Sequence, residues 1–300
     1  MTRPSVELYI QNIADLLMNE LEQVIPADWD VPTHLKESMM YSLMAGGKRL
    51  RPVLVLAATE AFGVDRKAAL PVAAAVEMVH TYSLIHDDLP AMDNDDYRRG
   101  RLTNHKVYGE AMAILAGDAL LTHAFYSIIQ SGRKYGIPAD RLLDIVEDLS
   151  EYAGARGMVG GQVADMEGEQ GMTSMSQLEY IHLHKTGDLM IFSLVAGGRI
   201  AGANEEQLDA LRIFGRDLGL AFQIQDDILD LIGDEQKLGK KTQSDVAQQK
   251  VTYPYFIGME ESVAEVKRLT ESAKDALIQG GIPDPTRLFE IADYLMKRDH

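Results

Sequence analysis

The sequence predicts an all-α protein, a large helical bundle of about ten helices around a central cavity. Three observations carry that expectation. Apolar residues recur at helical spacing along most of the chain, no stretch alternates strictly enough to form a strand, and two aspartate clusters are set into otherwise apolar helices. The clusters are Asp87 to Asp93 in DDLPAMD and Asp226 to Asp230 in DDILD.

The first helix is expected over about 5–25, where Val6, Ile10, Ile13, Leu16, Leu17, Leu21 and Val24 form one apolar stripe. The pattern restarts after Pro26 and Pro32, giving 34–45, then 51–62, and then a long helix over 67–88 that contains AAAVEMVHTYSLIH. Further helices follow at 110–131, 139–155, 176–198, 205–232, 261–280 and 285–298, most of them bounded by Gly, Pro or a Ser/Asn/Asp cap. No Pro/Ser/Gly linker interrupts the pattern, so residues 1–300 are expected to form one domain. Two polar, Gly-containing segments, 167–176 and 233–250, are candidate lids.

Composition narrows the function. The absence of Cys removes disulfides and thiolate metal sites and fits a cytoplasmic protein. A net charge of −17 argues against nucleic acid as a partner. No apolar run reaches the roughly 18 residues of a membrane span, and Glu7, Asp15, Glu20 and Glu22 interrupt any signal-peptide core, so neither export nor an integral membrane protein is expected.

Packing several carboxylates against apolar helices costs several kcal/mol per charge unless cations neutralise them. Too few Lys or Arg lie nearby in sequence to do so. Hard divalent cations are therefore expected between the two clusters, and with them a phosphate-bearing ligand, since Mg2+ takes one or two carboxylates plus phosphate oxygens. Asp226 and Asp230 stand one turn apart on one helix face, with Asp227 about 100° around. Asp87 and Asp93 are six residues apart, and Pro90 forbids a regular helix between them, so the helix must break there and swing Asp93 back toward Asp87. Two basic groups, Lys48, Arg49 and Arg51 in GGKRLRP and Arg98, Arg99 and Arg101 in YRRGR, form a plausible second phosphate cradle.

Taken together, GGKRLRP, HTYSLIHDD, DDLPAMDNDDYRRG, GQVADM, HKTG and FQIQDDILD followed by LGK resemble the motif set of trans-prenyl diphosphate synthases, most nearly the bacterial farnesyl diphosphate synthases. The resemblance runs from about His34 to the C-terminus and implies the isoprenoid synthase fold, a homodimer and Mg2+, three ions per active site. It implies that Asp87, Asp88 and Asp93 bind Mg2+ on an allylic diphosphate, with Asp226, Asp227 and Asp230 binding another ion from the opposite wall. Arg98, Lys185 and Lys240 would contact that diphosphate. Lys48, Arg51, His80 and Arg99 would hold isopentenyl diphosphate, and Thr186 and Gln223 would line the reacting centre.

The basic end, Lys297 to His300, resembles a tail that closes over the site. The implied reaction condenses isopentenyl diphosphate with dimethylallyl and geranyl diphosphate to farnesyl diphosphate by ionisation, condensation and proton elimination. Ser83 and Tyr82, four and five residues before Asp87, lie about 6–7.5 Å down the helix axis. Tyr82 is the expected floor that stops chain growth at fifteen carbons.

Four other readings compete. A geranylgeranyl diphosphate synthase would differ in that floor. A class I terpene cyclase would share the first Asp motif but not DDILD or the Lys48 and His80 site. A non-catalytic partner subunit would lose Asp-rich positions, and none is lost. Glu77-Met-Val-His80 and Glu179-Tyr-Ile-His182 fit the Glu-x-x-His spacing of di-iron bundles, a reading that leaves both Asp clusters unexplained.

Overall fold

The computed structural model describes residues 3–169, 174–232 and 251–297. Helix α1 (Val6–Glu22) starts where the Ser5 hydroxyl accepts the Leu8 N–H, and α2 (Thr33–Leu43) and α3 (Leu50–Ala61) follow. A 3-10 turn (Arg66–Ala69) leads into α4 (Leu70–Asp87), with Pro71 in its first turn, where a missing N–H costs nothing. After the first Asp motif come a two-residue hairpin, β1 (Tyr97–Arg98) and β2 (Arg101–Leu102), and a short α5 (Asn104–Tyr108). Then follow α6 (Glu110–Tyr135), α7 (Ala139–Ala153), α8 (Met158–Glu169) and α9 (Met175–Ile181), the last opened by a Ser174–Gln177 capping box. A π-helical turn (His182–Gly187) runs on into α10 (Asp188–Ala201). The remaining helices are α11 (Glu205–Ile232), α12 (Tyr253–Ile257), α13 (Met259–Gln279) and α14 (Thr286–Lys297).

The all-α expectation holds. Helices α3 and α10 lie against each other at the centre, with Val53 to Thr59 and Asp188 to Gly198 buried throughout, while α4 packs along α6 and α11 along α13. A helix apolar on every face belongs in such a position, since every face has a partner to exclude water.

Several expectations are corrected. Residues 158–169 form α8, where the sequence reading left its first residues unassigned and gave 167–169 to a lid; its small residues Gly160, Gly161 and Gly168 weaken any periodic signal. The helix expected at 176–198 is interrupted by the π segment, and 104–108 and 253–257 are too short to show a period. The hairpin is two residues per strand, below any alternation test, and its turn needs a left-handed Arg99 before Gly100. Two segments do meet the length and composition of a membrane span: Arg66–Asp87 and Glu110–Tyr135. The first is 78% buried, as a core helix is, and the second only 44%, leaving an apolar face uncovered. The candidate lid at 233–250, with Lys240, and the tail beyond Lys297 lie outside the described residues.

Candidate active site

The break expected at the first Asp motif is present. Helix α4 ends at Asp87, and the chain turns back so that the Asp93 N–H donates to the Asp87 carbonyl at 2.8 Å. The two acidic residues thus meet at the negative end of the α4 dipole, an arrangement that favours a cation. Burial pushes the Asp87 carboxyl up to about 6, with nearby Lys185 opposing the shift and Asp93 adding to it. Asp88 is different. It is 3% exposed and turned toward the hairpin, where it accepts from Arg98 Nε at 2.7 Å and Nη2 at 2.6 Å.

The second Asp motif sits on α11, which packs along the π turn. Asp226 accepts from Gln223 Nε2 at 3.4 Å. Asp227 is 8% exposed and Asp230 1%. The π turn carries Lys185 and Thr186, and Lys185 Nζ donates to Asp165 of α8 at 2.5 Å. That placement depends on Gly161, because a Cβ there would stand 2.2 Å from the Lys185 backbone nitrogen.

Two chambers adjoin at a common wall. The first, about 650 Å³, is lined by Lys48, Arg49, Arg51, His80 and Arg99, and is closed on its outer side by α1 and by Tyr294 and Leu295 of α14. The second, about 580 Å³, has Asp87 and Lys185 at one end and descends between α4 and α8 past Tyr82, Ser83, Met158, Val159 and Val163. Arg51, His80 and Thr186 line both.

The basic chamber is built around a buried carboxylate. Glu77 pairs with Arg49, both side chains almost wholly inaccessible, and Arg49 Nη2 also donates to the Leu43 carbonyl at 2.7 Å. Burial lowers Arg51 to about 10, with Glu77 opposing and Arg99 reinforcing, so it stays charged near neutrality. His80 is pushed well below its usual value by burial and by Arg51 and Arg99, which keeps its imidazole neutral. Gly47, at φ 112°, lets Arg99 lie against the 46–47 backbone, where Arg99 donates to the Gly46 carbonyl; a Cβ on Gly47 would stand 2.5 Å from the Arg99 guanidinium carbon.

Tyr82 is buried, its ring edge-on to His86 at 5.7 Å, and its phenol is pushed up to about 12 by burial and by Asp87. The Ser83 hydroxyl donates to the His80 carbonyl at 2.9 Å. Of the site residues expected from the sequence, Lys48, Arg51, His80, Tyr82, Ser83, Asp87, Arg99, Lys185 and Thr186 line one or both chambers. Asp93 joins them through its bond to Asp87, whereas Asp88 and Arg98 pair with each other, Gln223, Asp226, Asp227 and Asp230 lie on α11 and line neither chamber, and Lys240 is outside the described residues.

Among the described residues no three Asp, Glu or His side chains converge to hold a metal ion alone. The donor set still fits Mg2+: hard carboxylate oxygens, Asp87 and Asp93, with one partner raised by the other's charge, and room for phosphate oxygens to complete the shell. The di-iron alternative is overturned. Glu77 is committed to Arg49, and Glu179 accepts the Tyr253 hydroxyl at 2.9 Å.

Sequence reasoning missed three contributors. Glu77 and Asp165 are the counter-ions of Arg49 and Lys185, and Gly161 admits the π turn. The signal for two of them was GQVADM, a motif noted for resemblance without a role.

Comparison with known proteins gives a consistent picture. Residues 32–278 match the family model described as polyprenyl synthetase. A farnesyl diphosphate synthase of Bacillus subtilis (strain 168) is 49% identical over 90% of this chain and 91% of its own length. A geranylgeranyl diphosphate synthase of Cyanophora paradoxa is 43% identical over 97% of this chain and 96% of its own. The crystal structure of an FPP/GFPP synthase from Zymomonas mobilis, in its apo form, superposes with a TM-score of 0.84 at 34% identity, covering 97% of this chain and 98% of that one.

Proposed function

The chain belongs to the polyprenyl synthetase family, and on that premise we infer that it is a prenyltransferase that condenses isopentenyl diphosphate with dimethylallyl and then geranyl diphosphate to give farnesyl diphosphate. The observation that carries this reading is the pair of chambers meeting at Arg51, His80 and Thr186. One is cationic and suits a diphosphate with a short tail. The other offers Asp87, bonded to Asp93, at one end and an apolar shaft beyond it, which suits an allylic diphosphate with a growing chain.

In this account Lys48, Arg51 and Arg99 hold the isopentenyl diphosphate by charge-assisted hydrogen bonds, and neutral His80 donates one more. Asp87 and Asp93, with Asp226 from α11, would hold Mg2+ beside the allylic diphosphate, and Lys185 would contact that diphosphate, the role the resemblance also gives to Lys240. Members of the family use Mg2+; three ions per site is part of our reading. When bound, Mg2+ supplies Lewis-acid stabilisation of the departing diphosphate. The allylic C–O bond breaks, the isopentenyl double bond attacks the resulting cation, and a proton leaves to the released diphosphate. No side-chain nucleophile takes part. Thr186 stands at the shared wall where cation and alkene meet, and the apolar shaft excludes the water that would quench the cation.

Three further parts complete the reading. Residues 1–300 act as one polyprenyl synthetase domain in the cytoplasm, and the protein is not an integral membrane protein. The chain works as a homodimer, since exposed Ile114, Leu115 and Ile129 on α6 form an apolar face of the sort a second copy covers. Tyr82 limits the product to fifteen carbons.

The reading is tested by incubating the protein with Mg2+, labelled isopentenyl diphosphate and either starter. Label must enter an allylic product with both starters; label remaining wholly in isopentenyl diphosphate rejects it.

A further inference from the structure

Asp227 occupies the second position of DDILD, yet its environment is unlike that of a metal ligand. Its Oδ2 accepts the backbone N–H of Tyr253 at 2.7 Å and bonds His182 Nε2 at 3.2 Å. The residue is 8% exposed, and both of these bonds go to protein groups on other segments. Consecutive residues on a helix diverge by about 100°, so Asp226 and Asp227 leave α11 in different directions, the first beside Gln223 and the second toward His182 and Tyr253.

The partners of Asp227 close a ring of contacts. The Tyr253 hydroxyl donates to Glu179 on α9, and the Tyr253 ring stacks on His182, 6.5 Å between centroids and 20° between planes. His182 opens the π turn, three residues before Lys185 and four before Thr186. One carboxylate therefore joins α11, the π turn and the start of α12. A π turn is an irregular segment that its own hydrogen bonds hold poorly in register, so an external anchor at its first residue sets where its later residues point.

We propose that Asp227 is a positioning residue and not a metal ligand: it locks the π turn to α11, so that Lys185 and Thr186 are held in fixed register with Asp226. The assignment deepens the prenyltransferase reading and rests on it for the role of Lys185 and Thr186. Asp227 touches no reacting atom.

The test compares D227N, D227A and D226N in the full chain. Asn keeps an oxygen acceptor for Tyr253 and His182, whereas Ala removes it. Mn2+ binding in the presence of inorganic diphosphate is followed by electron paramagnetic resonance, alongside steady-state kinetics with Mg2+. The expectation is that D227N binds Mn2+ like the wild type and keeps kcat within about threefold, while D226N loses Mn2+ affinity. D227A should lower kcat by roughly thirtyfold with KM for isopentenyl diphosphate little changed, because none of the basic side chains of the first chamber, Lys48, Arg49, Arg51 and Arg99, lies on the π turn.

If D227A is too unstable to assay, H182F, which keeps a ring but removes the nitrogen, should show the same fall in kcat with unaltered Mn2+ binding. D227N that weakens Mn2+ binding as far as D226N makes Asp227 a ligand and overturns the proposal. So does a D227A or H182F protein with wild-type kcat. A wild-type protein without turnover rejects the prenyltransferase reading instead, and the Mn2+ comparison still decides whether Asp227 is a ligand.

Discussion

Asp93 donates its backbone N–H to the Asp87 carbonyl at 2.8 Å, and this one bond converts a six-residue separation into adjacency. Pro90 ends α4 and the returning chain caps it, so two carboxyl-bearing residues share the helix end. The charge crowded there is reflected in the Asp87 carboxyl, raised to about 6 by burial, opposed by Lys185 and reinforced by Asp93.

Asp87→Asn and Asp226→Asn are each expected to lower kcat at least about a thousandfold, roughly 4 kcal/mol of transition-state stabilisation, by removing a metal ligand where leaving-group charge develops. The fold should survive. A carboxyl raised on folding contributes stability below its unfolded value, near 3.8, that is lost as pH rises through about 6. Asp87→Asn should therefore melt higher than the wild type at pH 7 without Mg2+, and the advantage should fade toward pH 4. Near-normal turnover of both variants at saturating Mg2+ contradicts the metal assignment.

Lys48→Ala and Arg51→Ala should raise KM for isopentenyl diphosphate more than for geranyl diphosphate. Each removes a charge-assisted contact of about 1.5–3 kcal/mol, or roughly ten- to a hundredfold. Equal effects on both substrates in steady-state kinetics would mean that the basic chamber holds neither substrate selectively.

Gly47→Ala tests the junction between the two basic loops. The new Cβ would occupy the space of the Arg99 guanidinium, and φ 112° is strained for any side chain. KM for isopentenyl diphosphate should rise at least as far as in Arg99→Ala, and the double variant should be no worse than Gly47→Ala alone. Additive effects would show that Arg99 does not act through that contact.

Much of this was legible in the sequence because the informative residues break rules that ordinary helices obey. Carboxylates inside apolar helices, Pro90 between two of them, and paired basic groups beside Gly each signal a ligand. What stayed hidden depends on contacts between distant segments. Nothing local marks Glu77 as the partner of Arg49, or Asp227 as the anchor of His182 and Tyr253, since 28, 45 and 26 residues separate those pairs. Helix α8 was missed because glycine, chosen there for close approach to Lys185, has no helical signature.

Tyr82→Ala should open the shaft below Asp87 and extend the product. Removing a buried aromatic costs about 3–5 kcal/mol of stability and leaves space that an apolar chain can fill. Products of twenty carbons or more should appear while the first condensation is kept, as read by chromatography after dephosphorylation. Farnesol alone would place the floor elsewhere along the shaft.

The most direct test is the wild-type product itself. With Mg2+, dimethylallyl diphosphate and excess labelled isopentenyl diphosphate, the dephosphorylated product should be farnesol carrying two labelled units per molecule. Geranylgeraniol as the main product would contradict the fifteen-carbon limit, and a cyclic hydrocarbon or no carbon–carbon bond formation would contradict the two-chamber prenyltransferase account as a whole.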